Sequence, residues 1–179
     1  LARCLAEGFI YQGQPSPTHQ NQARGTPSAH LPPSAFILFL QNHDQIGNRA
    51  FGERLTTLTE EKNLYAAITL LLLCPQIPLL FMGDEWGTRT PFLFFTDFHD
   101  ELATAVREGR RKEFSALTAF ADPAVHCKIP DPNAFSTYAA SIPDHREINL
   151  KTHRNYWMLY QKLLKLRHQH LVPYLENCR

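Results

Sequence analysis

Two short apolar runs along the chain are each followed at once by polar side chains. The first run, 36–40, meets the sequence Gln-Asn-His-Asp-Gln at 41–45. The second run, 77–82, is followed by Gly-Asp-Glu at 83–85. Continuous apolar runs of this length are typical of strands buried on both faces. We therefore predict strands over residues 36–43 and 77–82, each ending in a polar tip.

The stretch between the two runs has helical periodicity. Apolar residues recur at helical spacing from Leu64 to Leu72, and Pro75 follows, which predicts a helix over residues 60–74. Strand, helix and strand in this order form a parallel β/α unit. Because reactive groups in such folds gather at the carboxyl ends of the strands, both polar tips are predicted to lie on one rim.

The flanking segments are predicted with less regular structure. Residues 12–34 are rich in Pro, Gly, Ser and Gln and predict a loop, and residues 45–58 predict a second one. Within residues 87–150 the pattern predicts an aromatic loop and a helix near 100–117. A final amphipathic helix is predicted over 154–170. Its apolar face would hold Tyr156, Leu159, Tyr160, Leu163, Leu164 and Leu166, and its wet face Lys162, Lys165 and Arg167.

Composition narrows the class of protein. The 179 residues are 44% hydrophobic and 20% charged with a formal net charge of +1, which is typical of a soluble globular protein and gives no charge-based reason to expect nucleic acid or membrane partners. The longest apolar run is too short to cross a bilayer, and no signal peptide pattern is present. The four cysteines lie far apart without a C-x-x-C motif, which favours a cytoplasmic location over a disulfide framework or zinc site.

The Asn42-His43-Asp44 sequence is the best candidate for chemistry. A carboxylate at the mouth of an apolar strand can stabilise developing positive charge, accept a proton or bind sugar hydroxyls. An imidazole can hydrogen-bond a hydroxyl at neutral pH. The alternative is that Asn42 and Asp44 only cap a turn. The residue types alone leave these two interpretations evenly matched.

The second tip, Asp84-Glu85, favours structural support over direct chemistry. Adjacent carboxylates after a glycine often pair with loop arginines, and Arg49, Arg54 and Arg89 are available. The side-chain types of both tips permit a metal, but no H-x-x-x-H or H-E-x-x-H spacing supports one. The sequence has no G-x-S-x-G motif, which argues against Ser-His-Asp catalysis. It also has no Walker or G-x-G-x-x-G motif, so we expect no nucleotide or other cofactor.

Two further groups of residues have structural interpretations that outweigh functional ones. Aromatic rings suit sugar faces, but those after the second tip are expected mostly to pack their own loop: Trp86, Phe92, Phe94, Phe95 and Phe98. The basic sequence 110–112, Arg-Arg-Lys, predicts a solvated helix face.

Longer stretches of the sequence resemble a known family. "FLQNHDQIGNRAFGERL" resembles the conserved end of the seventh barrel strand of the α-amylase superfamily, and "IPLLFMGDEWG" looks like its eighth strand. Within that superfamily, "QNHDQIGNRAFGERL" and "MGDEWGTRTPFLFFTDFHDELATAVREGRRKEF" are similar to malto-oligosyltrehalose trehalohydrolases. The resemblance covers roughly residues 1–172 and is strongest over 28–114. Where related sequences often have Gly-Glu-Glu-Tyr, this chain has Gly-Asp-Glu-Trp at 83–86.

The resemblance implies a fold, a reaction and roles for individual residues. The family's enzymes are (β/α)8 TIM barrels that hydrolyse the α-1,4 bond next to the trehalose end of a maltooligosyl trehalose. Asp44 matches the carboxylate that stabilises the transition state, and His43 matches a residue that binds sugar hydroxyls. Further candidate substrate-binding residues on the rim are Gln41, Asn42, Gln45, Asn48, Arg49 and Glu85.

The same resemblance predicts that the chain is a C-terminal fragment of a barrel. Residues 1–175 would be a partial catalytic α/β domain with the last two strands, their helices and an insertion over residues 87–150. The family's nucleophile and acid belong to earlier strands, so the missing N-terminal part of the barrel would be the natural partner. Two strands cannot close a barrel, and we expect the isolated chain to be poorly stable and inactive. The alternatives are a related α-amylase or branching enzyme, or a non-catalytic remnant that binds glucan or a partner.

Overall fold

The computed structural model describes residues 1–115 and 128–177. Within these residues the chain contains seven α-helices and two separate two-stranded sheets. The described residues fall into two compact units. The first comprises Leu1–Leu40, Tyr65–Leu79 and the chain from Met158 onward, and the second comprises Gln41–Leu64 and Leu80–Trp157.

The first unit contains the pair of parallel strands. Strand β3 (Ile37–Leu38) and strand β4 (Ile77–Pro78) pair in parallel, with Ile37 opposite Ile77. Helix α4 (Glu61–Leu73) connects them along the chain. The predicted parallel β/α unit is therefore confirmed, with the helix bounds within one residue of those expected.

The strands themselves differ from the prediction. The apolar run 36–40 contributes only two paired residues, and His43 begins a helix, so the predicted strand over 36–43 was wrong at its carboxyl end. The predicted strand over 77–82 is likewise limited to Ile77–Pro78. The expectation of burial on both faces was also wrong, because Ile37 is 64% exposed while Phe36 is buried. A ladder of two strands covers little of either strand's surface.

The amino-terminal part of the first unit has more structure than a loop. Helix α1 (Ala2–Glu7) ends at Gly8, whose φ of 90° and close approach to the Phe36 ring leave no space for a Cβ. Within the predicted loop 12–34, strands β1 (Gln14–Pro15) and β2 (Ala23–Arg24) pair antiparallel. Short 3₁₀ helices span Pro17–His19 and Pro33–Ala35. The loop prediction for this segment was therefore incomplete.

The last long helix, α7 (Lys151–His170), begins three residues before the predicted start. Tyr156, Tyr160 and Leu163 are buried as the amphipathic pattern requires, but Leu164 is 40% exposed. Arg167 was expected on the wet face and is instead buried. Its guanidinium donates to the carbonyl oxygens of Leu72, Cys74 and Gln76, at the end of α4 and just beyond it. The last carbonyl oxygens of a helix have no backbone donor within it, which explains why a buried arginine stabilises the end of α4. A 3₁₀ helix, Val172–Asn177, follows.

The second unit carries both polar tips. It contains α2 (His43–Gly47), α3 (Leu55–Leu58), α5 (Asp100–Ser115), α6 (Phe135–Ala140) and 3₁₀ helices at Asp84–Trp86 and His145–Asn149. The predicted loop over 45–58 thus contains helical residues at both ends, and the predicted helix near 100–117 is observed as α5. Residues 116–127 of the expected insertion lie outside the described residues.

Polar side chains fix the segment after β4. The indole of Trp86 and the hydroxyl of Thr88 both donate to one carboxylate oxygen of Glu147, at 3.2 and 2.6 Å. The ring of His153 contacts the Trp86 carbonyl at 2.9 Å. Trp86 is almost fully buried, so it packs its own segment as the structural interpretation of the aromatics required.

No helix among the described residues is long and apolar enough to span a membrane. Cys4 and Cys74 are free thiols, and Cys127 and Cys178 lie outside the described residues.

Candidate functional site

The His43–Asp44 pair lies at the start of helix α2 and faces solvent. Asn42 is the N-cap, and its side-chain oxygen accepts from the Gln45 backbone N–H at 3.0 Å. The His43 and Asp44 side chains are 69% and 72% exposed, with Nε2 of the imidazole 3.4 Å from a carboxylate oxygen. Asn42, rather than Asp44, therefore caps the helix. The Asp44 carboxylate is open to solvent and to any ligand at this rim.

Gln41 lies just before the cap and is buried. Its amide nitrogen donates to the Asp84 carboxylate at 2.6 Å, and its amide oxygen accepts from the Leu55 backbone N–H at 3.0 Å. The first tip and the second tip are thus joined by one side chain. This contact confirms the prediction that the two tips meet on one rim.

Asp84 is a buried carboxylate with several partners. Its side chain is 8% exposed, and besides Gln41 it accepts from the Phe81 backbone N–H at 3.0 Å. Burial raises the pKa of Asp84 to about 6, while the contacts with Gln41, Phe81 and the Arg54 charge act in the opposite direction. The structural role favoured for Asp84 by the sequence matches this geometry.

Arg54 is the cation nearest to Asp84 and was one of the three arginines expected near it. Its side chain is 1% exposed, with Nη1 4.0 Å from the Asp84 carboxylate. It donates to the carbonyl oxygens of Thr90 at 2.6 Å and Met82 at 2.9 Å, and its guanidinium lies 5.2 Å from the centre of the Phe81 ring. Burial lowers the pKa of Arg54, and the charges of Asp84, Glu147 and Glu85 oppose that shift. Arg54 therefore ties the loop after β4 to the loop that precedes α3.

Glu85 contacts its own turn. Its carboxylate accepts from the Gly83 backbone N–H at 3.1 Å, where Gly83 has a left-handed φ of 90°. A Cβ at Gly83 would lie 2.4 Å from the Thr88 methyl group, so only glycine fits this turn. Glu85 is partly buried, which leaves part of its carboxylate accessible from the rim.

The remaining predicted rim residues are more exposed. Gln45, Asn48 and Arg49 all lie at the surface on or just after α2. Arg49, one of the three arginines available to the second tip, pairs with Glu53 at 3.1 Å. The Asn48 side-chain oxygen is 3.5 Å from Arg110.

Arg110 is a residue of this site that the sequence prediction placed wrongly. It was expected on a solvated face of α5, yet it is buried. Its guanidinium donates to the carbonyl oxygens of Gly47 at 2.5 Å and Arg49 at 3.1 Å, and stacks between the rings of Phe94 and Phe114 at 4.9 and 4.7 Å. It thereby holds the carboxyl end of α2, opposite the end that carries Asp44. One feature of the sequence could have indicated this position: an arginine side chain is long enough to reach carbonyl oxygens well beyond its own helix.

The aromatic loop packs along the second unit. The ring of Phe92 contacts those of Phe81 and Phe95 at centroid distances of 5.0 and 5.6 Å, and Phe95 contacts Tyr138 at 5.4 Å. These edge-to-face contacts agree with the structural interpretation of the loop. In the described part of the chain, no three His, Cys, Asp or Glu side chains are grouped to hold a metal ion.

Comparison with known proteins finds several curated relatives that carry the same name. No family model matches the chain. The chain is 40% identical to a malto-oligosyltrehalose trehalohydrolase of Deinococcus radiodurans, over 99% of its own length and 29% of that protein. It is 39% identical to the Brevibacterium helvolum enzyme of the same name and 37% to that of Saccharolobus solfataricus, over 28% and 30% of those proteins.

A solved structure shows the same fold. A Salmonella typhimurium protein provisionally described as an α-amylase matches 99% of the chain and 29% of its own length, with 47% identity and a TM-score of 0.91. Within the described residues the chain forms no closed barrel, so it corresponds to part of an α-amylase fold. Over nearly its whole length the chain is thus similar to malto-oligosyltrehalose trehalohydrolases, and it spans less than a third of the length of these curated relatives.

Proposed function

We propose that the chain forms the part of a trehalose-releasing glycoside hydrolase that carries the carboxylate for transition-state stabilisation. The reaction is hydrolysis of the α-1,4 bond next to the trehalose end of a maltooligosyl trehalose. One observation of the site carries the proposal: the Asp44 carboxylate is open to solvent, while the buried Gln41 side chain before it and the Gly47 carbonyl after it are held by hydrogen bonds. The names of the relatives supply the substrate class.

We further propose that residues 1–175 contribute the last two strands and their helices to a (β/α)8 barrel. Strands β3 and β4 would be its seventh and eighth strands, and residues 87–150 an insertion. Support comes from the parallel pairing of β3 with β4 and from the likeness to a solved structure at a TM-score of 0.91. The family's nucleophile and general acid would then lie on strands outside the matched segment.

In this proposal each residue of the tip has a chemical task. Glycoside cleavage passes through an oxocarbenium-like transition state with positive charge near the anomeric carbon. A fixed carboxylate at Asp44 stabilises that charge more than it stabilises the neutral substrate, which accelerates the reaction. The exposed His43 imidazole hydrogen-bonds sugar hydroxyls in the neighbouring subsite. The rim around it is shaped by Gln41, Asn42, Gln45, Asn48, Arg49 and Glu85.

Product analysis tests this function on the complete natural protein that contains the chain. With a maltooligosyl trehalose as substrate, we expect trehalose and the shortened maltooligosaccharide in equal amounts. With a maltooligosaccharide of the same length, we expect little cleavage. Absence of trehalose from the products would contradict the proposal.

A second candidate is α-amylase activity, which the description of the Salmonella typhimurium protein favours. An α-amylase would cleave internal bonds of both substrates and release maltose and longer maltooligosaccharides. The same chromatogram therefore separates the two functions.

A further inference from the structure

We propose that Asp84 is a positioning residue for the reaction at Asp44 and acts through the side chain of Gln41. The inference rests on the proposed function, and it adds a residue of the second tip to the machinery of the first. Asp84 is itself too buried to touch a substrate, so its effect would be indirect.

The first step is the orientation of the Gln41 amide. The ionised Asp84 carboxylate can only accept a hydrogen bond, and the Leu55 backbone N–H can only donate one. Gln41 therefore has to turn its NH₂ group to Asp84 and its oxygen to Leu55, as the distances of 2.6 and 3.0 Å show. Both groups of the buried Gln41 side chain are engaged in hydrogen bonds, and the side chain has one acceptable orientation.

Gln41 is connected to Asp44 through the backbone at the start of α2. Gln41 directly precedes Asn42, the N-cap that fixes the first turn of α2. The Ile46 backbone N–H donates to the Asn42 carbonyl at 3.1 Å, and that of Asn48 donates to the Asp44 carbonyl at 3.0 Å. A shift of Gln41 would therefore move the start of a five-residue helix whose second residue is Asp44. Misplacement of a catalytic group by about 1 Å can cost about 10²-fold in rate.

The direction of the hydrogen bond between Gln41 and Asp84 can be tested by substitution, because an amide at position 84 has a donor group where the carboxylate has only acceptors. In Asp84→Asn, the new amide can accept from the Phe81 N–H with its oxygen, but its nitrogen would then meet the NH₂ group of Gln41, donor against donor. If Gln41 rotates its amide to accept this bond, the Leu55 N–H loses its acceptor. Either arrangement leaves a buried polar group unpaired.

A second substitution restores the lost acceptor. In Gln41→Glu combined with Asp84→Asn, a carboxylate at position 41 accepts from both the new amide and the Leu55 N–H. Gln41→Glu alone places two carboxylates where a 2.6 Å hydrogen bond now stands. Each single variant is thus expected to disturb α2, and the double variant to restore it.

The experiment measures kcat, KM and melting temperature for trehalose release by the complete natural protein and these three variants. We expect each single variant to lower kcat about 10-fold or more with KM little changed, as for a group that acts in the transition state. The double variant should recover kcat to within about threefold of the parent protein. Asp144→Asn is the matched control, because it removes an exposed carboxylate that pairs with Arg146 in the same unit.

The possible outcomes decide between the explanations. If the parent protein releases no trehalose, the proposed function fails and this inference fails with it. If the parent is active and Asp84→Asn keeps its kcat, only the inference is overturned. It is also overturned if the double variant recovers the melting temperature without kcat, or if it does not fold, because restored hydrogen-bond polarity should restore both.

Discussion

At the scale of single residues, the aspartates of the two polar tips, Asp44 and Asp84, differ in burial. The Asp44 side chain is exposed, whereas that of Asp84 is enclosed by Gln41, Phe81 and Arg54. Desolvation disfavours the ionised form of a buried carboxylate. The two carboxylates are therefore suited to different tasks, with Asp44 available to a ligand and Asp84 joined to the protein.

The raised pKa of Asp84 predicts how stability depends on pH. The folded protein holds this proton up to about pH 6, whereas the group's ordinary pKa is 3.8. Between these values the folded state binds more protons than the unfolded state, so its stability decreases as pH rises through this window. The shift corresponds to about 3 kcal/mol between low and neutral pH. We expect Asp84→Asn to remove this contribution from the pH dependence.

Denaturant unfolding of parent and variant between pH 4 and 7 measures the effect. The quantity to compare is the change in the free energy of unfolding across the range, which cancels the direct cost of the substitution. The same change in both proteins would show that Asp84 does not titrate in this window.

Three buried arginines mark the limit of what the sequence could predict at this scale. Arg54 was one of three arginines available to the second tip, and Arg110 and Arg167 were expected in solvent. All three are buried and donate to backbone carbonyls. Their carbonyl partners lie between 28 and 95 residues away along the chain. Local sequence pattern predicts that a charged side chain is exposed. Hydrogen bonds between residues so far apart along the chain produce no periodic signal in the sequence.

At the scale of elements, helix α2 is short and is held from outside. An isolated helix of five residues is unstable, since nucleation costs more than so few hydrogen bonds return. Asn42 caps its start, and Arg110 of α5 binds the carbonyls at and after its end. The orientation of Asp44 is therefore determined by contacts made beyond the helix itself.

Arg110 gives a prediction at this scale. In Arg110→Gln, the carbonyls of Gly47 and Arg49 lose charge-assisted hydrogen bonds that the shorter side chain does not reach. We expect a loss of about 2–3 kcal/mol in the free energy of unfolding and faster hydrogen exchange in residues 43–49. Lys112→Gln, an exposed position on the same helix, is the control. Equal exchange protection in both variants would show that Arg110 does not hold α2.

The elements predicted well were those with a local signal. Helix α4 followed from periodicity with a proline after it, and the pairing of β3 with β4 followed from the parallel β/α order. Helix α2 was not predicted, because the strand predicted from the apolar run 36–40 was extended to His43. Asn42 was the signal that could have found it, since asparagine is a preferred N-cap and its side chain does cap the helix here. The candidate site residues came from the resemblance as much as from pattern, and their roles remain predictions.

At the scale of the whole molecule, the paired strands expose apolar residues in the first unit. Ile37, Ile77 and Leu79 are all exposed although they belong to the two apolar runs. In the barrel proposed above, neighbouring strands and helices would cover such residues. Exposed apolar strands with open edges favour association with other chains.

We therefore expect the 179-residue chain expressed by itself to have low stability and to release no trehalose. The measurements are binding of a dye specific for apolar surface, a denaturant unfolding curve and a trehalose assay. A cooperative unfolding transition without dye binding, or measurable trehalose release, would contradict this expectation.

The most direct test of the account is the turnover rate of Asp44→Asn in the complete natural protein with a maltooligosyl trehalose as substrate. Asparagine has nearly the same shape but no charge, and the exposed position predicts an unchanged melting temperature. Loss of a transition-state charge contact should lower kcat by at least about 10²-fold. A kcat within a few-fold of the parent, in a variant with the parent's melting temperature, would show that Asp44 does not stabilise the transition state.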